Sequence, residues 1–323
     1  MNDLNMNICE DMGQSSLIDR FRGGDVRALA RVITSVENSG GLLPAELMPI
    51  FNRTERAFRI GITGPPGAGK STLTDGLCAL YRRERKTVGI IAVDPTSPFS
   101  GGALLGDRIR MNRAGLDPGV YIRSMATRGN LGGLAEAALD AADILDAFGK
   151  DIIILETVGV GQSELDIARA TDSTIVVLVP ESGDGVQAMK AGLMEIGDVF
   201  VLNKADRPSA ERAAGELKTA LELKYHEDSW NPPVIPTIAN RSEGVGDLLD
   251  ALKHHWRTLA ESGLLKEKRR NRRRERIRQL VNGELRRSMW NEDRLELLEK
   301  RLDEGDNPFS IAAELKKDFL KKR

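Results

Sequence analysis

The chain begins with a helical pattern and changes near residue 58 to strands that alternate with helices. Before that point, Val26, Leu29, Ile33 and Val36 recur at helical spacing after Asp25, a residue type that caps helices. From residue 58 to residue 240, short apolar runs alternate with segments of helix length, which predicts a parallel sheet covered on both faces. The predicted strands are residues 58–63, 87–93, 152–156, 173–179, 197–202 and 234–238.

Helical spacing returns beyond Gly246 and continues to the end of the chain. The first predicted helix has one apolar stripe, formed by Leu248, Leu249, Leu252 and Trp256. The last predicted helix takes Asn307 as its N-cap and Pro308 as its first residue. The apolar residues of this last helix are spaced by four: Ile311, Leu315 and Phe319.

These patterns predict an α/β fold with a mostly parallel sheet flanked by helices and with helical extensions at both ends. The predicted parts are an N-terminal helical extension (residues 1–56), an α/β domain (57–262) and a C-terminal helical arm (263–323). A chain of 323 residues with 41% hydrophobic content can bury one substantial core.

Composition and charge exclude several classes of protein. The formal net charge of −1 argues against a general attraction to nucleic acids or membranes. Cys9 and Cys78 are too isolated to form a disulfide framework or a CxxC site, which favours a reducing cytoplasm. The N-terminus lacks the features of signal and transit peptides, and no apolar run is long enough to cross a bilayer. We therefore expect a cytoplasmic protein with neither nucleic-acid nor membrane partners.

A phosphate-binding motif follows the first predicted strand. The form GxxxxGK[ST] is matched by Gly64, Pro65, Pro66, Gly67, Ala68, Gly69, Lys70 and Ser71. Glycines let successive backbone N–H groups turn inward around phosphate oxygens, and the helix that follows adds its positive end. Lys70 is expected to reach the β- and γ-phosphates, Ser71 to ligate Mg²⁺ and Thr72 to donate to a phosphate oxygen. The motif in this context predicts a P-loop NTPase.

Two predicted strands end in acidic residues, Asp94 and Glu156. Because ligands gather at the carboxyl ends of parallel strands, these acids are candidate Mg²⁺ ligands, directly or through water. Glu156 also begins an acid-x-x-Gly segment in which the N–H of Gly159 can contact the γ-phosphate and release it after hydrolysis. Gln162 could orient the attacking water by analogy with other GTPases, which the sequence alone does not establish.

A base-reading loop follows the strand that contains DVFVLN. Asn203, Lys204 and Asp206 form an NKxD sequence, whose acid can accept two hydrogen bonds that guanine offers and adenine does not. The predicted nucleotide is therefore GTP, since a buried carboxylate left unpaired would disfavour the analogue. After the last predicted strand, a backbone N–H could reach the guanine oxygen from one of three residues: Ile238, Ala239 and Asn240.

The motifs together resemble the MeaB/ArgK family of GTPases. The resemblance rests on GPPGAGKST, DPTSPFSGGALLGDRIRM, SMATRGNLGGLA, ETVGVGQSE and NKAD, and it spans nearly the whole chain. The family is similar to metallochaperone-type GTPases and is known for guarding adenosylcobalamin-dependent acyl-CoA mutases, chiefly methylmalonyl-CoA mutase. The resemblance implies that GTP hydrolysis gates cobalamin loading and removal of damaged cofactor. It also implies a homodimer held by helical arms.

The same resemblance assigns roles to further residues. Asp94 and Asp107 resemble the acids that flank the first switch around Mg²⁺, and Glu156 resembles the acid of the second switch. Residues 183–190 resemble the third switch, in which Asp184, Gln187 and Lys190 would sense the nucleotide or the partner. The implied catalytic residues are Lys70, Glu156 and Lys190. Ile238 departs from the family, whose members commonly carry Ser there, so a side-chain contact with the base would be lost.

The basic stretch 266–276 has no stacking aromatic residues, so a solvated helix is favoured over a nucleic-acid patch. A nickel-inserting GTPase is a rival interpretation, but it would need His or Cys clusters, and His254 and His255 are expected at the surface of a helix. A GTP-regulated adaptor for another client, at a membrane or elsewhere, and a non-hydrolysing scaffold are further alternatives. The client mutase, the residue that positions water and an arginine finger from Arg108 or Arg110 stay open.

Overall fold

The computed structural model describes residues 16–39, 43–94, 116–126, 136–157, 163–180, 192–224 and 230–321. Within these ranges, the strands are β1 (Phe58–Thr63), β2 (Val88–Asp94), β3 (Val120–Ala126), β4 (Ile152–Thr157), β5 (Ser173–Leu178), β6 (Val199–Asn203) and β7 (Val234–Thr237). The helices before β6 are α1 (Leu17–Arg22), α2 (Val26–Asn38), α3 (Lys70–Arg83), α4 (Glu136–Ala147) and α5 (Ser163–Ala170). The later helices are α6 (Ala210–Lys224), α7 (Val245–Glu261), α8 (Leu264–Met289), α9 (Glu292–Asp303) and α10 (Pro308–Lys321).

The seven strands form one all-parallel sheet in the order β3-β2-β4-β1-β5-β6-β7. The predicted α/β fold and its six predicted strands are confirmed, with small differences at the strand ends. The strand β3 was missed. It lies at the edge of the sheet and carries Arg123 in its middle, whose guanidinium Nη2 donates to Glu37 Oε2 at 2.5 Å. A polar edge strand does not produce the continuous apolar run that reveals the buried strands.

Helices cover both faces of the sheet. On one face, α3 and α7 pack through Leu73, Leu77, Leu248 and Leu252 against alternate residues of the central strands. On the other face, α2, α4 and α5 pack over β2 and β4, and α6 packs over β5 and β6. All six residues of β1, β4 and β5 are buried, as expected for parallel strands with helices on both sides.

The N-terminal residues contribute to this core. Asp25 caps α2 as predicted, with its Oδ1 accepting from the backbone N of Arg27 at 2.7 Å. Leu29, Ile33 and Val36 are buried in the hydrophobic cluster that α2 forms with α4 and one face of the sheet. Residues 45–53 form a 3₁₀-helix that contains Pro49.

Two compact units divide the chain, residues 1–269 and residues 270–323. In the second unit, Arg294 is buried, and its Nε donates to Asp318 Oδ2 at 2.9 Å. The predicted cap of the last helix is confirmed, since Asn307 Oδ1 accepts from the backbone N of Ser310 at 3.0 Å. The three-part division and the role of the C-terminal arm in dimerisation stay predictions. No helix in the described part of the chain has the length and apolarity to cross a membrane.

Buried charges join elements at the amino end of the sheet. Arg59 on β1 is 2% exposed, and its Nη2 lies 2.5 Å from Asp143 Oδ1 and 3.2 Å from Asp146 Oδ2. Burial opposes the charge of Arg59, but the two carboxylates outweigh it and raise the pKa of the guanidinium. Asp172 receives the Arg59 backbone N–H at 3.1 Å and the Arg269 Nη2 at 2.8 Å.

The predicted basic helix exists as α8, and most of its side chains are exposed. Lys268 and Arg269 differ from the solvated residues around them, because Lys268 Nζ donates to the carbonyl of Asp172 at 2.8 Å and Arg269 pairs with its carboxylate. These two cations hold the start of α8 against the amino end of β5.

The prediction that both histidines of α7 lie at the surface is wrong for His255. Its ring is 2% exposed, while His254 is exposed. His255 Nδ1 lies 2.7 Å from Ser173 Oγ, and Nε2 lies 3.5 Å from Asp198 Oδ1. The three side chains have the composition of a catalytic triad, but Ser173 is fully buried and a substrate could not reach it. The arrangement therefore joins α7 to β5.

Candidate nucleotide-binding site

The predicted phosphate loop connects β1 to α3 at the carboxyl end of the sheet. Gly64 has φ 135°, and a Cβ there would lie 2.1 Å from the carbonyl oxygen of Val177. Gly69 has φ 93°, and a Cβ there would lie 2.2 Å from Asn203 Nδ2. Glycine is required at both positions, because β5 and β6 approach the loop too closely for any side chain.

Lys70 opens α3 and is 6% exposed. Its Nζ donates to the carbonyl oxygens of Gly64 at 2.8 Å and of Pro65 at 2.9 Å. The ammonium group therefore lies across the loop, next to the N-terminus of a helix whose dipole favours anions. Phosphate oxygens are stronger acceptors than these carbonyls, so an anion in the loop would compete for the same protons.

A second buried cluster connects α3 to the end of β4. Ser71 Oγ donates to Glu156 Oε1 at 2.6 Å, and Thr74 Oγ1 lies 2.7 Å from Glu156 Oε2. Glu156 is 4% exposed, so a hydroxyl group meets each oxygen of a buried carboxylate. Thr74 was missed in the sequence, although its position one turn after Lys70 on the same face of α3 could have indicated it.

The hydroxyl of Ser71 and the carboxylate of Glu156 fit the chemistry of a Mg²⁺ site. Both are hard oxygen donors, and Mg²⁺ commonly takes one or two protein oxygens together with substrate phosphates and water. Within the described residues, no group of three or more His, Cys, Asp or Glu side chains could hold a metal ion. Ser71 and Glu156 are the two described side chains that fit such a site together with a nucleotide.

Asn203 connects three loops at the carboxyl end of the sheet. Its Nδ2 donates to the carbonyl of Ala68 at 2.7 Å, and its Oδ1 accepts from Thr237 Oγ1 and from the backbone N of Ala239, each at 3.1 Å. Asn203 is 3% exposed. The residue therefore fixes the phosphate loop relative to the loop after β7. The sequence located Asn203 but not these contacts, since Ala68 is 135 positions away.

Asp206 lies in the same loop with its carboxylate accessible. Its side chain is 41% exposed, and its Oδ2 lies 3.8 Å from Arg241 Nη2. Lys204, the neighbouring motif residue, has φ 60°, a conformation that a non-glycine residue adopts at an energetic cost. The turn therefore places the Asp206 carboxylate in a loop that contacts the phosphate loop through Asn203.

The loop after β7 uses two of its three candidate N–H groups internally. The N–H of Ile238 donates to the carbonyl of Glu243 at 3.1 Å, and the N–H of Ala239 donates to Asn203. The side chain of Asn240 is exposed. These two hydrogen bonds therefore hold the loop in place without a nucleotide.

Several predicted site residues fall outside the described residues: Asp107, Gly159, Gln162, Asp184, Gln187 and Lys190. The possible arginine fingers Arg108 and Arg110 fall outside them as well, as does the side chain of Asp94. The structure thus brings together Lys70, Ser71, Glu156, Asn203 and Asp206 from three separate segments of the sequence.

Comparison with known proteins agrees with this architecture. A relative from Pyrococcus abyssi is 54% identical over 270 residues, which are 83% of this chain and 83% of the relative. The methylmalonic aciduria type A homolog of Caenorhabditis elegans, a mitochondrial protein, is 34% identical over 281 residues, 81% of this chain and 70% of that protein. The crystal structure of an LAO/AO transport system kinase aligns with a TM-score of 0.71 and 28% identity, covering 94% of this chain and 96% of the other.

The family model of the methylmalonyl Co-A mutase-associated GTPase MeaB matches residues 29–294. This match includes the phosphate loop, both strand-end acids and the NKxD sequence, so the resemblance found in the sequence is confirmed. The chain belongs to the MeaB family and is a P-loop GTPase.

Proposed function

We propose that this GTPase hydrolyses GTP with Mg²⁺ and couples hydrolysis to the chaperoning of an adenosylcobalamin-dependent acyl-CoA mutase such as methylmalonyl-CoA mutase. Chaperoning here means cofactor loading, protection and reactivation. The proposed GTP hydrolysis with Mg²⁺ rests on one observation, the buried hydrogen bond from Ser71 to Glu156 beside Lys70. The partner is supported by the family's description and by the name of the worm relative.

Phosphate binding starts from the loop between β1 and α3. Its backbone N–H groups and the N-terminus of α3 would surround the β- and γ-phosphates, and Lys70 would exchange its two carbonyl acceptors for phosphate oxygens. Pro65, Pro66, Gly67 and Ala68 shape this loop, and Thr72 lies one residue beyond Ser71 on the helix. The fold already buries Lys70 and holds its ammonium group across the loop, so the group is oriented before the substrate binds.

Ser71 and Glu156 would hold the cation, together with Asp94 and Asp107 of the first switch. When bound, Mg²⁺ neutralises charge that develops on the phosphate oxygens. The protein's own contribution is to keep the Ser71 hydroxyl oriented, through the 2.6 Å hydrogen bond to Glu156. Gly159 and Gln162 of the second switch, and Asp184, Gln187 and Lys190 of the third, would report the state of the γ-phosphate to the mutase.

Guanine selection would come from the NKxD loop and the loop after β7. Asp206 would accept from the guanine N1–H and 2-amino groups, and the backbone of residues 238–240 would face the guanine oxygen. Asn203 supports this by fixing both loops against the phosphate loop, so that base and phosphate positions are set together. Lys204 in its strained conformation would lie along the base.

A homodimer through the C-terminal helices is part of the proposal, as are a cytoplasmic location and the lack of nucleic-acid and membrane partners. Ile277, Leu280 and Val281 on α8 are 55%, 40% and 49% exposed, and such a run of apolar residues is suited to a protein interface. A second copy of the chain could cover it.

The test is GTP hydrolysis with Mg²⁺ by the full chain, with and without a purified adenosylcobalamin-dependent mutase, beside ATP. We expect slow GTP turnover that the mutase accelerates, because regulatory GTPases often need a partner to complete transition-state stabilisation. Lys70→Ala should lower both rates about 10³-fold, and Lys218→Ala, on the exposed face of α6, is the matched control. Turnover that no mutase changes would reject the chaperone function and leave the GTPase.

A further inference from the structure

A cavity of about 620 Å³ lies in the first unit, at the end of the sheet opposite the phosphate loop. Its walls include Phe58 and Ile152, the first residues of β1 and β4, and Lys86, which precedes β2. The phosphate loop follows the last residue of β1, so the cavity and the nucleotide site are separated by the length of the strands. A volume of this size accommodates a small organic molecule.

Aromatic side chains form much of the cavity wall. The rings of Phe58 and Trp256 have centroids 6.1 Å apart, and those of Phe21 and Phe148 have centroids 5.2 Å apart in an edge-to-face arrangement. Trp256 is 39% exposed although the rest of its apolar stripe is buried. Large, partly open aromatic surfaces of this kind favour a planar apolar partner.

Tyr81 also lines the cavity and is 3% exposed. Its hydroxyl has no hydrogen-bond partner in the described structure. Because this hydroxyl is fully buried, Tyr81 contributes the apolar part of its side chain to the cavity wall.

The acids at the cavity are already occupied by the protein. Asp146 accepts the backbone N–H groups of residues 55–57 and lies against Arg59. Glu84 is paired with Lys253, and Asp151 lies 3.8 Å from Lys86. None of these carboxylates is therefore left to attract a cation.

Positive charge remains after this pairing. The lining includes Arg22 and Arg56, which are exposed and make no ion pair within the described residues. Lys150, another lining residue, is buried, and its Nζ donates to the carbonyl of Gly119 at 3.1 Å. Burial lowers the pKa of Lys150, so a nearby anion would favour its charged form.

We propose that this cavity is a binding site for a small organic anion with a planar apolar body. The body lies against the aromatic walls, and the anionic group meets Arg22 and Arg56, whose guanidinium groups bind carboxylates, phosphates and sulfonates through paired donors. The site is independent of the GTPase chemistry and of the proposed mutase partner.

The test uses naphthalene-2-sulfonate as the probe and naphthalene-2-methanol as its neutral match, titrated calorimetrically into the full chain. We expect the sulfonate to bind and the neutral compound to bind at least tenfold more weakly. Arg22→Ala combined with Arg56→Ala should raise the Kd of the sulfonate about tenfold, since each exposed charged contact contributes modestly. The control removes the same charge elsewhere, by Arg212→Ala combined with Lys218→Ala on α6, and should leave the Kd unchanged.

Fluorescence gives a second readout that does not depend on the arginine variants. The probe should change the tryptophan emission of the wild type, and this change should disappear in Trp256→Phe while circular dichroism stays the same. The proposal is overturned if the wild type does not bind the sulfonate at millimolar concentration. It is also overturned if the double arginine variant, folded, keeps the wild-type Kd.

Discussion

The buried charges beside the phosphate loop, at the carboxyl end of the sheet, differ in their hydrogen-bond partners from the buried Arg59 cluster at the amino end. Lys70 donates to two carbonyls and Glu156 accepts from two hydroxyls. Arg59 instead lies among Asp143, Asp146 and Asp172. Carbonyl and hydroxyl contacts can be exchanged for a phosphate or a cation, whereas breaking a buried ion pair leaves an uncompensated charge. The comparison indicates that the contacts of Lys70 and Glu156 are suited to exchange for a ligand, whereas the ion pairs of Arg59 are suited to stabilising the fold.

The largest effect is expected from Lys70→Ala, which removes the cation from the phosphate loop. GTP turnover should fall about 10³-fold, as when a preorganised transition-state contact is lost. The melting temperature should stay close to that of the wild type, because the alanine continues α3 well. Measuring kcat and the melting temperature of the same preparations checks both expectations. A large drop in melting temperature would contradict the contrast between the two ends.

Arg59→Leu is the corresponding change at the amino end. It leaves the carboxylates of Asp143 and Asp146 without their cation, so the free energy of unfolding should fall by about 3 kcal/mol. Urea denaturation measures this loss, with the exposed Arg212→Leu as control. The folded variant should keep its kcat for GTP within about twofold. Normal stability with impaired turnover would reverse the roles that we assign to Lys70 and Arg59.

Asp206→Asn tests whether the carboxyl end reads guanine. The amide can accept only one of the two guanine hydrogens and brings its own N–H against the base, so GTP affinity should fall about 100-fold. Xanthosine triphosphate has an oxygen where guanine has the 2-amino group, and it should bind the variant better than GTP does. Nucleotide titrations of both proteins provide the measurement. An unchanged preference for GTP would show that Asp206 does not face the base.

The smallest effect is expected from the pH dependence contributed by His255. Burial lowers its pKa in the folded state, so below the ordinary value of 6.5 the unfolded chain binds the proton more readily. The stabilisation of the folded state by neutral His255 is therefore fully present above pH 6.5. It is lost as the pH falls towards the lower pKa of the folded state. The slope of the free energy of unfolding should be at most about 1.4 kcal/mol per pH unit, the value for one proton.

Urea unfolding at pH 7.5 and pH 5.5 measures this dependence. His255→Asn should reduce the pH dependence of stability, while His254→Asn on the exposed side of the same helix should keep it. If the free energy of unfolding depends equally on pH in all three proteins, His255 is not the source of the pH dependence.

The local sequence predicted those parts of the fold that depend on neighbouring residues. The caps Asp25 and Asn307, the six apolar strands and the phosphate loop were found from patterns a few residues long. The strand β3 was missed because Arg123 interrupts its apolar pattern, and its place was fixed by pairing with β2. His255 was misjudged because its burial depends on Ser173 and Asp198, which lie far away in the sequence.

The sequence by itself determined the phosphate-loop motif, the NKxD sequence and the parallel α/β fold, since each follows from residue types at short, fixed spacing. Only the tertiary structure decided that Asn203 fixes the phosphate loop relative to the loop after β7. The same holds for the hydrogen bonds of Thr74 and Ser71 to Glu156. It also holds for the aromatic cavity at the amino end, whose lining includes Arg22 and Arg56, both unpaired within the described part of the chain. These features depend on distances between residues separated by tens to hundreds of positions. Such distances are set when the sheet forms and brings the ends of its strands together.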